Sequence, residues 1–377
     1  MCAHEIKKFF VTLYRNLQKS EKKMTKVTIS DIATKAGVSV GTVDRVIHHR
    51  GEVAARTREK VLKIIEEMKY EPDIVARSLA SKKTLRFVSL IPSDTNPFWK
   101  KPGEGLDMAW QEIKHFGIEF EKYEFNYHDK FSFYQHLETI TDSKPDGVVL
   151  TPVFTDMLQS YLDKLQQKNI PYVFINAQLE NQGNLAFVGQ DSRQSGRVAA
   201  RLLDYSVPQE GKIFILNFIS KIGGNSHIIS REQGFWTYFT DKPSFRQKNL
   251  HTLNLNAQNI EDMESLLLSY LSSTKRKPAE IRGIFVTNSR VYHVADFLMN
   301  EKISNVRLVG YDLLEENIKH LRNGTIDFLI GQKPFEQGYN SVMTLFNVIV
   351  RKKEIVKNQF LPIDIITKEN IDFYLNL

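Results

Sequence analysis

One cysteine, Cys2, is all that 377 residues contain. That excludes a disulfide framework and suits a reducing compartment such as the cytoplasm. Long apolar runs are also missing. None approaches the ~20 residues that cross a bilayer as a helix, so no membrane partner is expected. FFVTLY (9–14) is followed closely by Arg15 and Lys19, without a small-residue cleavage site. Residues 1–25 are therefore expected to be a loose basic extension and not a signal peptide. The marks of chemistry are absent too. There is no Cys/His metal spacing, no phosphate-cradling glycine loop and no nucleophile elbow, so no catalytic residue, metal or cofactor is expected.

Net charge is what the greater part of the chain lacks. Residues 1–83 hold 18 Lys+Arg against 10 Asp+Glu, whereas the remaining 294 hold 33 against 34. The whole of the net +7 thus sits in the N-terminal fifth. A basic module on a near-neutral body is the electrostatic footprint of a DNA-binding head on a sensing domain. Within the head, VTISDIATKAGVSVGTVDRVIHHRGEVAARTR (27–58) has helix-turn-helix spacing. A helix over 29–35 places Ile32, Ala33 and Ala36 on one face. Gly37 supplies the left-handed turn and Ser39 a hydroxyl cap. The second helix buries Val43, Val46 and Ile47 and turns Val40, Gly41, Thr42, Asp44 and Arg45 outward, where a major-groove reader needs them. A third helix over 57–69 carries the stripe Val61, Ile64, Ile65 and Met68. It ends at Tyr70-Glu71-Pro72, because a residue before proline avoids the helical region. Asp73 can cap a short helix over 74–80.

From Leu85 onward apolar strands alternate with helical stretches. The strands are expected near 85–92, 118–125, 146–152, 171–177, 186–191, 212–218, 250–256, 283–288, 306–312 and 326–332. This is the βα pattern of doubly wound parallel sheets, repeated in two subdomains. Such sheets bind ligands at the carboxyl ends of their strands. Polar and aromatic residues collect there: Asn96, Phe98 and Trp99, then Asn176, Asn288, Asp312 and Gln332, with Arg231 before Gly234-Phe235. Taken singly, each has a plainer reading as a turn former or core residue. As a set of amides, one carboxylate, one guanidinium and two aromatics, they suit a small carbohydrate.

The runs VSVGTVDRVI, VAARTREKVLKIIEEMKY and EPDIVARSLASKK resemble the LacI/GalR family of bacterial repressors, almost continuously from 28 to 83. The resemblance implies an all-α helix-turn-helix head followed by a two-lobed, periplasmic-binding-protein-like α/β body. It also implies a minor-groove hinge helix at 74–80, where Leu79 matches the wedging leucine. The implied divisions are 1–25, a head at 26–71, a hinge at 72–84 and an effector-binding and dimerisation body at 85–377. The implied DNA contacts are Thr28, Ser39, Val40, Gly41, Thr42, Arg45, His48, Arg77 and Leu79. The effector contacts are Asn96, Phe98, Trp99, Asn176, Arg231, Asn288, Asp312 and Gln332. Three departures stand out. Asp44 replaces a small hydroxyl residue facing the DNA backbone. Ala54 replaces a serine cap, at a cost of about 1 kcal/mol. Asn176-Ala177 stands where sugar binders of this type often have Asp-Arg. The expectation is a cytoplasmic homodimeric regulator, not an enzyme, that binds operator DNA under a carbohydrate-like effector. The rivals are a transport sugar-binding protein, opposed by the basic head, and an enzyme with an appended head, opposed by the missing catalytic motifs.

Overall fold

The computed structural model describes residues 27–47, 50–68, 84–93, 97–179, 182–220, 225–241, 249–256, 263–268 and 281–375. His48, Arg77, Leu79, Asn96, the hinge segment and residues 1–25 lie outside the described residues. The chain divides into Met1–Arg77 and Ser78–Leu377.

The first unit holds α1 (Ile29–Ala36), α2 (Val40–Ile47) and α3 (Ala55–Glu67). Thr28 caps α1 in a reciprocal capping box with Asp31. Gly37 ends it at φ 66°, a backbone that a side chain resists. Ser39 Oγ then accepts from Thr42 N at 3.1 Å and starts α2. Ile32, Ala33, Ala36, Val43, Val46, Val61 and Ile64 close a small core. Ile47, Ile65 and Met68 are only partly buried against it. Ala54 makes no side-chain cap bond to α3.

The second unit holds twelve strands among the described residues. These are β1 (Leu85–Pro92), β2 (Ile118–Phe125), β3 (Gly147–Leu150), β4 (Tyr172–Ile175), β5 (Ala186–Gly189), β6 (Lys212–Ile219), β7 (Leu250–Asn256), β8 (Ile281–Val286), β9 (Arg307–Tyr311), β10 (Phe328–Gly331), β11 (Asn358–Phe360) and β12 (Asp364–Ile366). Between and after them run α4 (Pro97–Ile113), α5 (Lys130–Ser143), α6 (Leu158–Gln167), α7 (Ser192–Ser206), α8 (Ser226–Thr240), α9 (Val291–Asn300), α10 (Glu315–Asn323), α11 (Pro334–Ile349) and α12 (Ile371–Leu375). One sheet has the order β11-β5-β4-β3-β1-β2 and the other β12-β10-β9-β8-β6-β7. The second repeats the strand order of the first, except that the edge strand β11 runs parallel to β5 and β12 antiparallel to β10. All ten strands expected from the apolar runs are present, several of them shorter by a residue or more at an end. Two were missed. β11 and β12 are three residues each, too short to show a period, and β12 lies antiparallel on β10.

Helices cover both faces of each sheet, as continuous apolar strands require. β3, β4 and β5 are buried throughout. The chain passes between lobes three times. After β5 it enters α7, whose Ala199, Ala200 and Leu203 pack in the second lobe with Phe235 and Phe285. After β10 it returns in α11, whose Val342, Leu345 and Phe346 pack in the first lobe with Phe87 and Ile113. The third passage joins β11 to β12. The first two are tied where Gln190 Nε2 donates to the Gly331 carbonyl at 2.9 Å.

Candidate functional site

Parallel strands in both lobes end on one cleft, and α4, α8, α9 and α10 begin beside it. Two of these ends show how the backbone presents a side chain. Asn176 after β4 and Asp312 after β9 hold equivalent places in the two lobes, with φ of 66° and 69°. Each backbone N–H is bonded to the neighbouring strand, at Val188 O and Ile330 O. Asn and Asp tolerate this left-handed backbone better than most residues.

The cleft holds a cavity of about 700 Å³. Seven of the eight effector residues expected from the sequence line it: Phe98, Trp99, Asn176, Arg231, Asn288, Asp312 and Gln332. The eighth, Asn96, lies outside the described residues. Phe98 and Trp99 stand edge to face at 5.2 Å and belong to the first lobe's core as well as to the cavity wall. Asn288 keeps its turn-forming role, since its Oδ1 accepts from Arg290 N at 3.1 Å.

At the centre is a polar network. The Arg231 side chain, 2% exposed, donates to the Thr287 carbonyl at 2.7 Å and to Gln332 Oε1 at 2.5 Å. Gln332 Nε2 in turn donates to both Asp312 oxygens, at 3.0 and 2.8 Å. The guanidinium also lies 3.7 Å from the centre of the Tyr311 ring. Tyr311 OH is bonded to Ser195 Oγ at 2.9 Å. Asn317, fully buried, donates to Ser289, Tyr311 and Asp312 carbonyls and fixes the loop that carries the carboxylate. Burial raises the Asp312 carboxyl to about 7, against the Arg231 charge and the Gln332 amide, which pull it down. Burial, then the Arg231 charge, holds the His227 imidazole down to about 3. His293 is also lowered, by burial first and Arg290 second. This arrangement offers an acceptor pair, a rigid donor fork and an aromatic corner.

Several lining residues escaped the sequence reading: Asn126, Tyr127 and His128 after β2, Ser220 and Asn225 after β6, and Arg290 and His293. The strand-end rule applied to 118–125 and 212–218 would have found the first five. Arg290 and His293 gave no signal, because their places depend on how the β8–α9 turn closes.

In the head, Val40, Gly41 and Arg45 are exposed on α2. Thr28 and Ser39 are exposed but act as caps, and Thr42 is half-buried with its Oγ1 2.9 Å from Ser39 Oγ. No group of three or more His, Cys, Asp or Glu able to hold a metal occurs among the described residues. No helix among them is long and apolar enough to cross a membrane.

The bacterial regulatory proteins of the lacI family match residues 28–73, and the periplasmic binding protein domain matches residues 87–353. Among curated proteins, the transcriptional regulator DegA of Bacillus subtilis is 29% identical over 152 residues, 40% of this chain and 44% of that one. The sucrose operon repressor of Pediococcus pentosaceus is 26% identical over 292 residues, 76% of this chain and 82% of that one. The chain spans about half or less of the length of the first curated relatives it matches. Among solved structures, a Bacteroides fragilis chain assigned to the LacI transcriptional regulators superposes with a TM-score of 0.69 at 32% identity, over 78% of this chain and 100% of that one. GanP, a glucose-galactose binding protein from Geobacillus stearothermophilus, shares the fold, with a TM-score of 0.66 at 20% identity over 77% of this chain and 99% of that one. A lacI-type head joined to a periplasmic-binding-protein body places the chain in the LacI family of bacterial regulatory proteins, to which it belongs.

Proposed function

We propose that this chain is a homodimeric, cytoplasmic transcriptional regulator whose hold on operator DNA is set by a small carbohydrate-like effector. The observation that carries the reading is the convergence of Phe98, Trp99 and Asn176 from one lobe with Arg231, Asp312 and Gln332 from the other on a single cavity. Its size suits a small ligand. Aromatic faces cover the C–H surface of a sugar, while the acceptor pair and the guanidinium take its hydroxyls. A ligand held by both lobes favours their approach, and this can be passed to the head only if the two DNA-binding states differ in effector affinity, typically by about 1–3 kcal/mol.

On this reading 26–71 is the DNA-binding head, 72–84 the hinge and 85–377 the effector and dimerisation body. Val40 and Gly41 carry no side-chain hydrogen-bonding group, so base readout in the major groove falls to apolar contact with thymine methyls and to Arg45. Thr28 and Ser39, which cap their helices, and Thr42 take the DNA backbone on this reading, and His48, Arg77 and Leu79 complete the contacts. The test is selection of binding sites from fragmented genomic DNA by the full-length protein. The expected product is a set of inverted repeats, bound with an affinity that falls steeply with salt and changes when a sugar is added. Retained fragments that share no repeat, or complexes indifferent to every sugar, overturn the reading.

A further inference from the structure

The cavity is longer than the polar network at its centre. In the first lobe its wall runs from Asn176 after β4, past Phe98 and Trp99 after β1, to Asn126, Tyr127 and His128 after β2. In the second it runs from Gln332 after β10 and Asp312 after β9, past Asn288 after β8, to Phe218 in the end of β6 and to Asn225 and His227 beyond it. Each course crosses four neighbouring strands, β4-β3-β1-β2 in one lobe and β10-β9-β8-β6 in the other. Three spacings of ~4.8 Å make each wall about 14 Å long.

The Asp312–Gln332–Arg231 network joins the ends of β9 and β10 to the Thr287 carbonyl after β8. The end of the cavity under β6 and β2 is built from other groups. Burial pushes the Tyr127 phenol up to about 12, against the Arg290 charge on the other lobe. His227 and His293 are held toward the neutral form, by burial first and then by the Arg231 and Arg290 charges respectively. A phenol and a neutral imidazole each carry one donor and an acceptor, as a sugar hydroxyl does. Apolar faces stand beside them: the buried Phe218 ring lies 6.3 Å from His293, and Tyr292 lies 4.1 Å from the same imidazole. This end therefore repeats, in different residues, the pairing of aromatic surface with hydrogen-bonding groups found at the Asp312 end.

We infer that the effector is a carbohydrate of two linked rings, one held on the Asp312–Gln332–Arg231 network and the other at the end lined by Tyr127 and Phe218. A single pyranose, measured between the oxygens on opposite ring carbons, is little longer than one strand spacing. Placed against Asp312 and Trp99, it leaves the β2–β6 end to water. Two rings joined through a glycosidic oxygen cover about twice that length. The volume agrees, since 700 Å³ is the liquid volume of roughly two dozen waters at ~30 Å³ each. A second ring releases part of that water and lays its C–H faces on Phe218 and Tyr127, with its hydroxyls on the phenol, the imidazoles and Asn126. The inference rests on the carbohydrate reading of the cleft.

The test is calorimetry and thermal shift on the full-length protein with glucose, galactose, mannose and xylose, beside maltose, cellobiose, lactose, melibiose, mannobiose and xylobiose. The expected result is one disaccharide binding at least about tenfold tighter than either of its component sugars. Tyr127→Ala should bring that disaccharide-to-monosaccharide ratio down toward one, because the second ring loses its stacking face. If Tyr127→Ala does not fold, the ratio in His128→Ala, a change at an exposed position, decides. A ratio undiminished in the variant that decides overturns the inference. A monosaccharide that binds as tightly as every disaccharide containing it also overturns the inference and leaves the carbohydrate reading standing. If no member of the panel raises the melting temperature, the carbohydrate reading fails and the inference falls with it.

Discussion

Asp312 concentrates the chemistry of the cleft in one residue. It sits at φ 69° at the end of a buried strand, 4% exposed, with both oxygens on the Gln332 amide. Its carboxyl, at about 7, is raised above its ordinary 3.8. The folded chain therefore takes up a proton that the unfolded chain releases between those values. The resulting stability is fully present below pH 3.8 and is lost as pH rises to about 7. His227 acts in the opposite sense: lowered to about 3 from 6.5, it costs stability as pH falls through that window. Asp312→Asn removes the first effect and leaves the second. Its melting temperature relative to the parent should rise from pH 4 to about pH 7 and then level off, read from paired thermal melts. A constant difference across that range would mean that the carboxyl titrates near its ordinary value.

Among elements, the helix pairs that flank the sheets show how closely backbones are held. α7 crosses α8 where Gly196 faces Arg231, and a Cβ there would lie 2.0 Å from the Arg231 carbonyl oxygen. Gly234 answers it, with a Cβ position 1.8 Å from the Arg193 carbonyl. In the first lobe, α4 crosses α11 in the same way at Gly105 and Gly338. The obstacle in each case is backbone, which cannot rotate aside as a side chain can. Gly196→Ala should destabilise the body by about 1–3 kcal/mol, as overpacking does, in a urea titration. Because the displaced backbone is that of Arg231, effector affinity should fall as well. A variant with unchanged affinity would show that α8 shifts without moving the guanidinium.

At the scale of the whole molecule, the chain is a small helical unit and a larger two-lobed one. The described residues that line the cavity belong to the second. An effector that binds only the folded body stabilises it by about 2.7 kcal/mol at one hundred times its Kd. In scanning calorimetry without DNA, the larger transition should rise with effector concentration while the head's transition stays in place. Movement of both together would mean that the head and body unfold as one unit. Within the body, the two lobes repeat one strand order, and two of the passages between them are tied through Gln190 and Gly331.

The sequence alone determined the head, the alternation of strands and helices, and a set of strand-end side chains. Caps, turns and apolar periods are local, and Thr28, Gly37 and Ser39 write them within a few residues. The same locality explains why Asn176, Asp312 and Gln332 stood out, since each directly follows an apolar run. Tertiary structure alone decided that these residues, 156 positions apart between Asn176 and Gln332, face one cavity. It alone tied Gln332 to both Arg231 and Asp312, brought Arg290 and His293 to the wall, and added β11 and β12 to the sheet edges. The physical reason is that a three-residue strand has no periodicity of its own, and a buried ion network gains its energy from partners distant in sequence. Chain order does not encode either as a pattern, and only the closed fold brings the partners within hydrogen-bonding reach.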